Sequence, residues 1–258
     1  MDVVVTERQG RIAVIRLDRP PVNAMDTGLL SSLILALEAY AESDARAAVL
    51  TADGGVFCAG VDLRMLLEGG PEYVREFLPL LSECFAALFT VPKPVIAAVN
   101  GHALAGGCIL AAACDLRLMA DGPGTIGVTE LPVGVPFPSW ALEIMRHATA
   151  PQHLGEVVLT GRRYTPAEGL ARGLLDEVVA PERLLDRALE LAEDLARVPH
   201  ATFAHTKRQL RHPAVERVER HGPDYNALAE GLWAAPEVTD AIRAYLEARV
   251  GRSGSRKD

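Results

Sequence analysis

No run of about 18 or more consecutive apolar residues occurs in this 258-residue chain, although 49% of it is hydrophobic, so no transmembrane helix is expected. Basic residues are in deficit. The 26 Lys and Arg stand against 34 Asp and Glu, a net charge of −8, which argues against a general nucleic-acid partner. Cysteine is scarce: Cys58, Cys84, Cys108 and Cys114 make no CxxC pair and no metal-ligand spacing. They read as reduced, buried thiols of a cytoplasmic protein, and no metal is expected. The N-terminal MDVVVTERQG is charged early and lacks the apolar core of a signal peptide. Several catalytic signatures are missing too. There is no GxGxxG dinucleotide fingerprint, no P-loop and no GxSxG nucleophile elbow.

What the chain does have is a recurrence of strand, glycine loop and helix. RIAVIRLD (11–18) alternates and is rich in branched residues, so it reads as a strand, and ARAAVLTAD (45–53), KPVIAAVNG (93–101) and LRLMAD (116–121) read likewise. Between them, GLLSSLILALEAYAES (28–43) has helical spacing with Asp26 or Thr27 as its cap. LRMLLEGG starts a short helix, and 71–91 is a long one with Pro79 early in it. This pattern predicts an α/β core with parallel strands. From about Pro181 the texture becomes helical, through PERLLDRALELAEDLARV, ATFAHTKRQLR and PEVTDAIRAYLEARV. GRSGSRKD at the end is polar and expected to be disordered. The expected division is a core over 1–196 and a helical region over 197–258.

Three stretches could carry chemistry: FCAGVDL (57–63), HALAGGC (102–108) and IGVTELPVGVPFPSW (126–140), the last placing Glu130 in an otherwise uncharged run. Singly, each has a bland explanation, as a turn or a buried structural acid. Together they say more. Glycine neighbours let a backbone N–H approach a ligand closely. The second loop enters a helix, whose N-terminus favours negative charge. Two converging N–H groups form an oxyanion hole, and an apolar surrounding makes a carboxylate a stronger base. The set suits removal of a proton next to a carbonyl.

These motifs, with PKPVIAAVNGHALAGGCILAAACDLRLMAD around the second, resemble the crotonase superfamily, the enoyl-CoA hydratase/isomerase family, over nearly the whole chain. The resemblance implies a spiral of ββα units followed by a helical C-terminal trimerisation region, as a homotrimer or a dimer of trimers. It implies an acyl-CoA thioester substrate, with CoA arriving as part of that substrate and no separate cofactor. It implies an oxyanion hole from the N–H groups of Val61 and Gly106, and Glu130 as the acid/base. Asn23, Ala24, Ala59, Val61, Asp62, Leu63, Arg64 and Gly106 would lie along the CoA. Lys207 falls in a helical region that can reach the CoA phosphates, although a solvated lysine is the plainer reading of it.

Hydratases of this family carry two glutamates, and this chain has Ile109 at the first position and Glu130 at the second. Hydration needs a water oriented and split, which two carboxylates share. Shifting a double bond needs one base and no water, and Ile109 helps to exclude it. The pattern is similar to the monofunctional Δ3,Δ2-enoyl-CoA isomerase branch. Dienoyl isomerases would have an aspartate where this chain has Pro138, and dehalogenases would need one within 131–140, which holds no ionisable side chain. A hydratase, a decarboxylase of a malonyl-like thioester, and a non-catalytic acyl-CoA binder stand as alternatives. His102 reads as structural, Asp62 as a helix cap, and Cys58 and Cys108 as space-filling.

Overall fold

A computed structural model describes residues 3–254. The elements run β1 (Val4–Gln9), β2 (Ile12–Leu17), α1 (Thr27–Glu42), β3 (Ala47–Ala52), β4 (Val56–Cys58), α2 (Leu63–Thr90), β5 (Val95–Val99), β6 (His102–Leu104), α3 (Gly106–Ala113), β7 (Leu116–Ala120), β8 (Ile126–Gly127), α4 (Glu130–Val133), α5 (Ser139–Ala148), α6 (Leu154–Thr160), α7 (Pro166–Ala171), β9 (Glu177–Val179), α8 (Leu184–Ala196), α9 (His200–Trp233) and α10 (Pro236–Gly254).

The strands form two sheets. The larger has the order β1-β2-β3-β5-β7-β9 and is parallel except for the β1–β2 hairpin. The smaller, β4-β6-β8, is parallel throughout. Three successive turns of chain (β3 to β4, β5 to β6, β7 to β8) each give one strand to each sheet and then a helix. That is the spiral of ββα units, followed by a helical C-terminal region. The central strands β3 and β5 are buried at every residue, as expected for parallel strands covered on both faces. Alternate side chains divide the core. Ala47, Val49, Ile96 and Ala98 pack under α8, while Ala48, Leu50, Ala97 and Val99 join the main core with α1 and α2.

Local signals in the sequence account for the element ends. Asp26 caps α1 by accepting from the Leu29 N–H at 2.8 Å. Asp62 caps α2 by accepting from the N–H groups of Arg64 and Met65. α2 breaks at Gly70, whose φ of 58° lies outside helical space, and Pro71 restarts it. The sequence reading of two consecutive helices there matches this break.

Other expectations are corrected. The helix read at ATFAHTKRQLR runs on to Trp233, through Pro213 and Pro223. A buried stripe of Lys207, Arg211, Ala214, Val218, Gly222, Ala229 and Trp233 holds it against the core, and this packing outweighs the two lost N–H donors. Residues 251–254, expected to be disordered, belong to α10; residues 255–258 lie outside the described residues. No described helix is long and apolar enough to cross a membrane.

Candidate active site

The site follows from the small sheet. Its three strands are parallel neighbours, so their C-terminal ends lie side by side. β4 ends at Cys58 and feeds residues 59–62, β6 ends at Leu104 and feeds Ala105–Gly106, and β8 ends at Gly127 and feeds Thr129–Glu130. The three stretches singled out in the sequence therefore converge beyond the carboxyl ends of the strands, where parallel sheets place ligands.

The glycines make the convergence possible. A β-carbon on Gly60 would stand 2.7 Å from the Ala105 β-carbon, 2.9 Å from the Leu104 carbonyl oxygen and 3.4 Å from the Gly106 nitrogen. Gly60 has a φ of 89°, and Ala105 itself holds a φ of 50°, a costly conformation for alanine that turns the chain into α3. On the first loop, Met25 N–H donates to Gly60 O and Asp62 N–H donates to Met25 O, both at 2.8 Å. These two bonds bracket Val61. Among the described residues, neither the Val61 N–H nor the Gly106 N–H has an acceptor in the protein. Two unclaimed donors thus flank a cavity of about 800 Å3 whose wall includes both residues.

Glu130 opens α4 and is only 7% exposed. Its Oε2 has no hydrogen-bond partner. Burial pushes its carboxyl up to about 8, against a smaller lowering by its own backbone N–H. Glu130 and Ile109 both line the cavity, and Ile109 is buried on α3, one turn in from Gly106. Two other carboxylates lie on the wall. Asp62 is held by the α2 amides and by Arg19, 3.5 Å away, and Glu247 is exposed on α10. Glu130 is the buried one.

Ala24, Ala59, Val61, Asp62, Leu63, Arg64 and Gly106 all line this cavity. Asn23 does not. It is 2% exposed, and its side chain clamps the loop: Oδ1 accepts from Arg19 N–H at 2.7 Å, and Nδ2 donates to the carbonyls of Asp53 and Val56. In this structure Asn23 therefore clamps the loop behind the cavity wall. Lys207 is not solvated and does not line the cavity. It is buried, with Nζ 2.8 Å from Asp115 Oδ2. His102 Nδ1 is paired with Thr125. Cys58 and Cys108 are buried thiols; burial pushes Cys58 up to about 12 and Cys108 still higher.

Sequence reading missed Arg19, which bridges the caps of α1 and α2 through Asp26 at 2.5 Å and Asp62 at 3.5 Å while lining the cavity. A wall built by residues 65–90 is the sequence expectation, and Leu81 and Phe85 of α2 supply it, while Val135, Ala141 from α5, Trp233 from α9 and Leu246 from α10 were missed. Apart from Val135, which lies between α4 and α5, these are helix residues, and helical spacing says buried without saying against what.

The enoyl-CoA hydratase/isomerase family model matches residues 7–252, and the chain belongs to that family. It is 30% identical over 256 residues to mouse mitochondrial enoyl-CoA delta isomerase 1, covering 98% of this chain and 88% of the relative. It is 34% identical over 257 residues to a putative enoyl-CoA hydratase of Thermus thermophilus, covering 96% and 100%. The crystal structure of human mitochondrial delta3-delta2-enoyl-CoA isomerase superposes with a TM-score of 0.91 at 26% identity, covering 99% of this chain and 100% of that one. The protein is thus an enzyme of a family whose members carry both isomerase and hydratase names.

Proposed function

We propose that this enzyme shifts the double bond of an enoyl-CoA between the β,γ and α,β positions. The thioester oxygen is held by the N–H groups of Val61 and Gly106. Glu130 takes the α-proton from a 3-enoyl thioester, leaving a dienolate whose negative charge rests on the held oxygen. The same carboxylic acid then gives the proton to the γ-carbon, and Glu130 is a carboxylate again. Preorganised donors at such an oxygen are worth about 3 kcal/mol each. The α-proton of a thioester is weakly acidic, so a carboxylate with raised basicity suits the task.

The observation that carries this reading is the pairing of Glu130 with Ile109 on one cavity wall. One buried acid and an apolar neighbour support proton transfer along carbon better than activation of water. The hydratase names among the relatives favour hydration as the second reading. Both readings are tested by giving the purified protein 3-enoyl-CoA and 2-enoyl-CoA. Conjugation absorbance that grows from the first substrate, with little loss from the second, supports isomerisation, and the reverse supports hydration.

The CoA moiety would run along Ala24, Ala59 and Asp62 to Arg64 and enter as part of the substrate; the proton shuttle calls for no separate cofactor. We also propose assembly as a homotrimer or dimer of trimers. Tyr225, Leu228 and Leu232, all more than half exposed on α9, support a contact between copies, and light scattering of the purified chain tests it. A cytoplasmic location is part of the same proposal, supported by four unpaired buried cysteines and tested by cell fractionation.

A further inference from the structure

The helix that presents Gly106 has cations at its other end. The carbonyls of Ala113, the last residue of α3, and of its cap Cys114 accept from Arg211 Nη1 and Nη2 at 3.0 and 3.1 Å. The same guanidinium donates to Asp115 Oδ1 at 2.8 Å and to the Phe89 carbonyl at the end of α2. Lys207, one turn earlier on α9, donates to Asp115 Oδ2 at 2.8 Å and to the Lys93 carbonyl at 3.1 Å. Lys207 is 6% exposed and Arg211 4%. Two buried cations thus face one carboxylate; burial lowers Lys207 to about 8, so below that pH the cluster carries an excess of one positive charge. Lys93, whose ammonium donates to the carbonyls of Tyr40 and Ser43, is itself a cation and brings no negative charge to cancel it.

A clamp between α9 and the core does not need this excess. Burying an extra charge is costly unless something else uses it. The C-terminus of a helix carries the negative end of the peptide dipole. A positive charge there cancels that end and leaves the positive N-terminus unopposed. α3 has eight residues, Gly106–Ala113. At 1.5 Å per residue, the excess charge lies roughly 12 Å from the Gly106 N–H.

We propose that Lys207 and Arg211 are positioning residues for the oxyanion hole. Their excess positive charge at the C-terminal end of α3 strengthens the pull of the Gly106 N–H on a thioester oxygen. The inference rests on the reading that this N–H binds that oxygen. At an effective dielectric constant of about 20, one charge at this distance changes the stability of an oxyanion by about tenfold.

The test uses the full-length protein at pH 7, where Lys207 is charged, and a 2-enoyl-CoA with a 13C-labelled thioester carbonyl, whose stretching frequency falls when the oxygen is polarised. Lys207→Met brings the excess charge to zero. The expected result is that part of the frequency drop is lost and that kcat for 3-enoyl-CoA falls about tenfold with KM unchanged. Adding Asp115→Asn to Lys207→Met restores the excess charge carried by Arg211, and both readouts should return to within about twofold of wild type. A clamp that acts only by packing predicts the opposite: the double variant is worse than the single.

A folded Lys207→Met with wild-type frequency and kcat, or a double variant as impaired as the single, overturns the proposal. If Lys207→Met does not fold, the double variant decides: a wild-type frequency supports the proposal and a lost shift overturns it. The spectra also separate the two readings. A wild-type protein that polarises the carbonyl but forms no conjugated product ends the isomerase reading, while the frequencies still decide this inference. A wild-type protein that leaves the carbonyl unshifted overturns the inference directly.

Discussion

Gly107 sits so close to Cys58 that a β-carbon on it would lie 2.2 Å from the Cys58 carbonyl oxygen. This contact ties the second glycine of α3 to the end of β4 and so holds the two donor loops side by side. The oxygen belongs to the backbone and cannot swing away. Gly107→Ala should therefore separate the loops and cost about 3 kcal/mol or more of stability. A denaturant midpoint close to wild type would show that the loops are less tightly joined than this.

Glu130→Gln keeps the size of the side chain and removes its ability to carry a proton between carbons. Positioned general acid–base groups contribute about 10²–10⁴-fold, and kcat for 3-enoyl-CoA should fall by that amount. Binding of the substrate, followed by calorimetry, should change little. Near-full activity in this variant would mean that another group is the base.

Glu130 also sets a pH dependence. As a base it works ionised, so kcat/KM should rise as pH passes through about 8, the value to which burial pushes it. Stability should move the other way. The folded value lies above the unfolded one, so the folded state binds the extra proton and gains from it. That gain is complete below the unfolded value of about 4.5 and is lost as pH rises through about 8. Unfolding curves of wild type and Glu130→Gln should diverge across this window, with the Gln variant flatter. Parallel curves would contradict the raised value.

Ile109→Glu puts a second carboxyl into the cavity that Glu130 lines. Hydration of 2-enoyl-CoA should appear or increase, and isomerisation should fall as water gains a hold. The substitution places an unpaired acid in an apolar site, so stability should drop by a few kcal/mol. Loss of isomerisation with no gain in hydration would show that a second acid at this position is not sufficient for adding water.

Asn23→Ala distinguishes a loop clamp from a CoA contact. Three hydrogen bonds are lost from a buried site whose φ is 50°, and about 2–4 kcal/mol of stability should go with them. KM for the thioester at low temperature, where the variant remains folded, should stay within a few-fold of wild type. A large KM increase without destabilisation would return Asn23 to the CoA path.

Much of the core was legible because its signals are local. β2, β3 and β5 are short apolar runs rich in branched residues, as burial on both faces demands, and β7 is a less buried, mostly apolar run. Asp26 and Asp62 show as caps because a side-chain oxygen and a helix amide are neighbours in the chain. The small sheet was not legible. β4, β6 and β8 hold three, three and two residues, too few for any periodicity, although this sheet draws the site together. α9 was cut short because its buried stripe includes Lys207, Arg211 and Gly222 and passes two prolines. Hydropathy reads those as exposed or broken, and the pairing with Asp115 and nearby carbonyls explains the burial of the two cations.

By itself the sequence determined the materials of the site: two glycine-flanked amides, one glutamate in an apolar run, and isoleucine where a second acid would stand. These are properties of single residues and their chain neighbours. The tertiary structure alone decided that the three stretches share one cavity wall, that Arg19 and the apolar residues of α2, α5, α9 and α10 complete it, and that Asn23 and Lys207 belong to the scaffold. Such facts depend on which strands pair and which helix faces meet. Those choices are made by burial over the whole chain, and no local segment carries them.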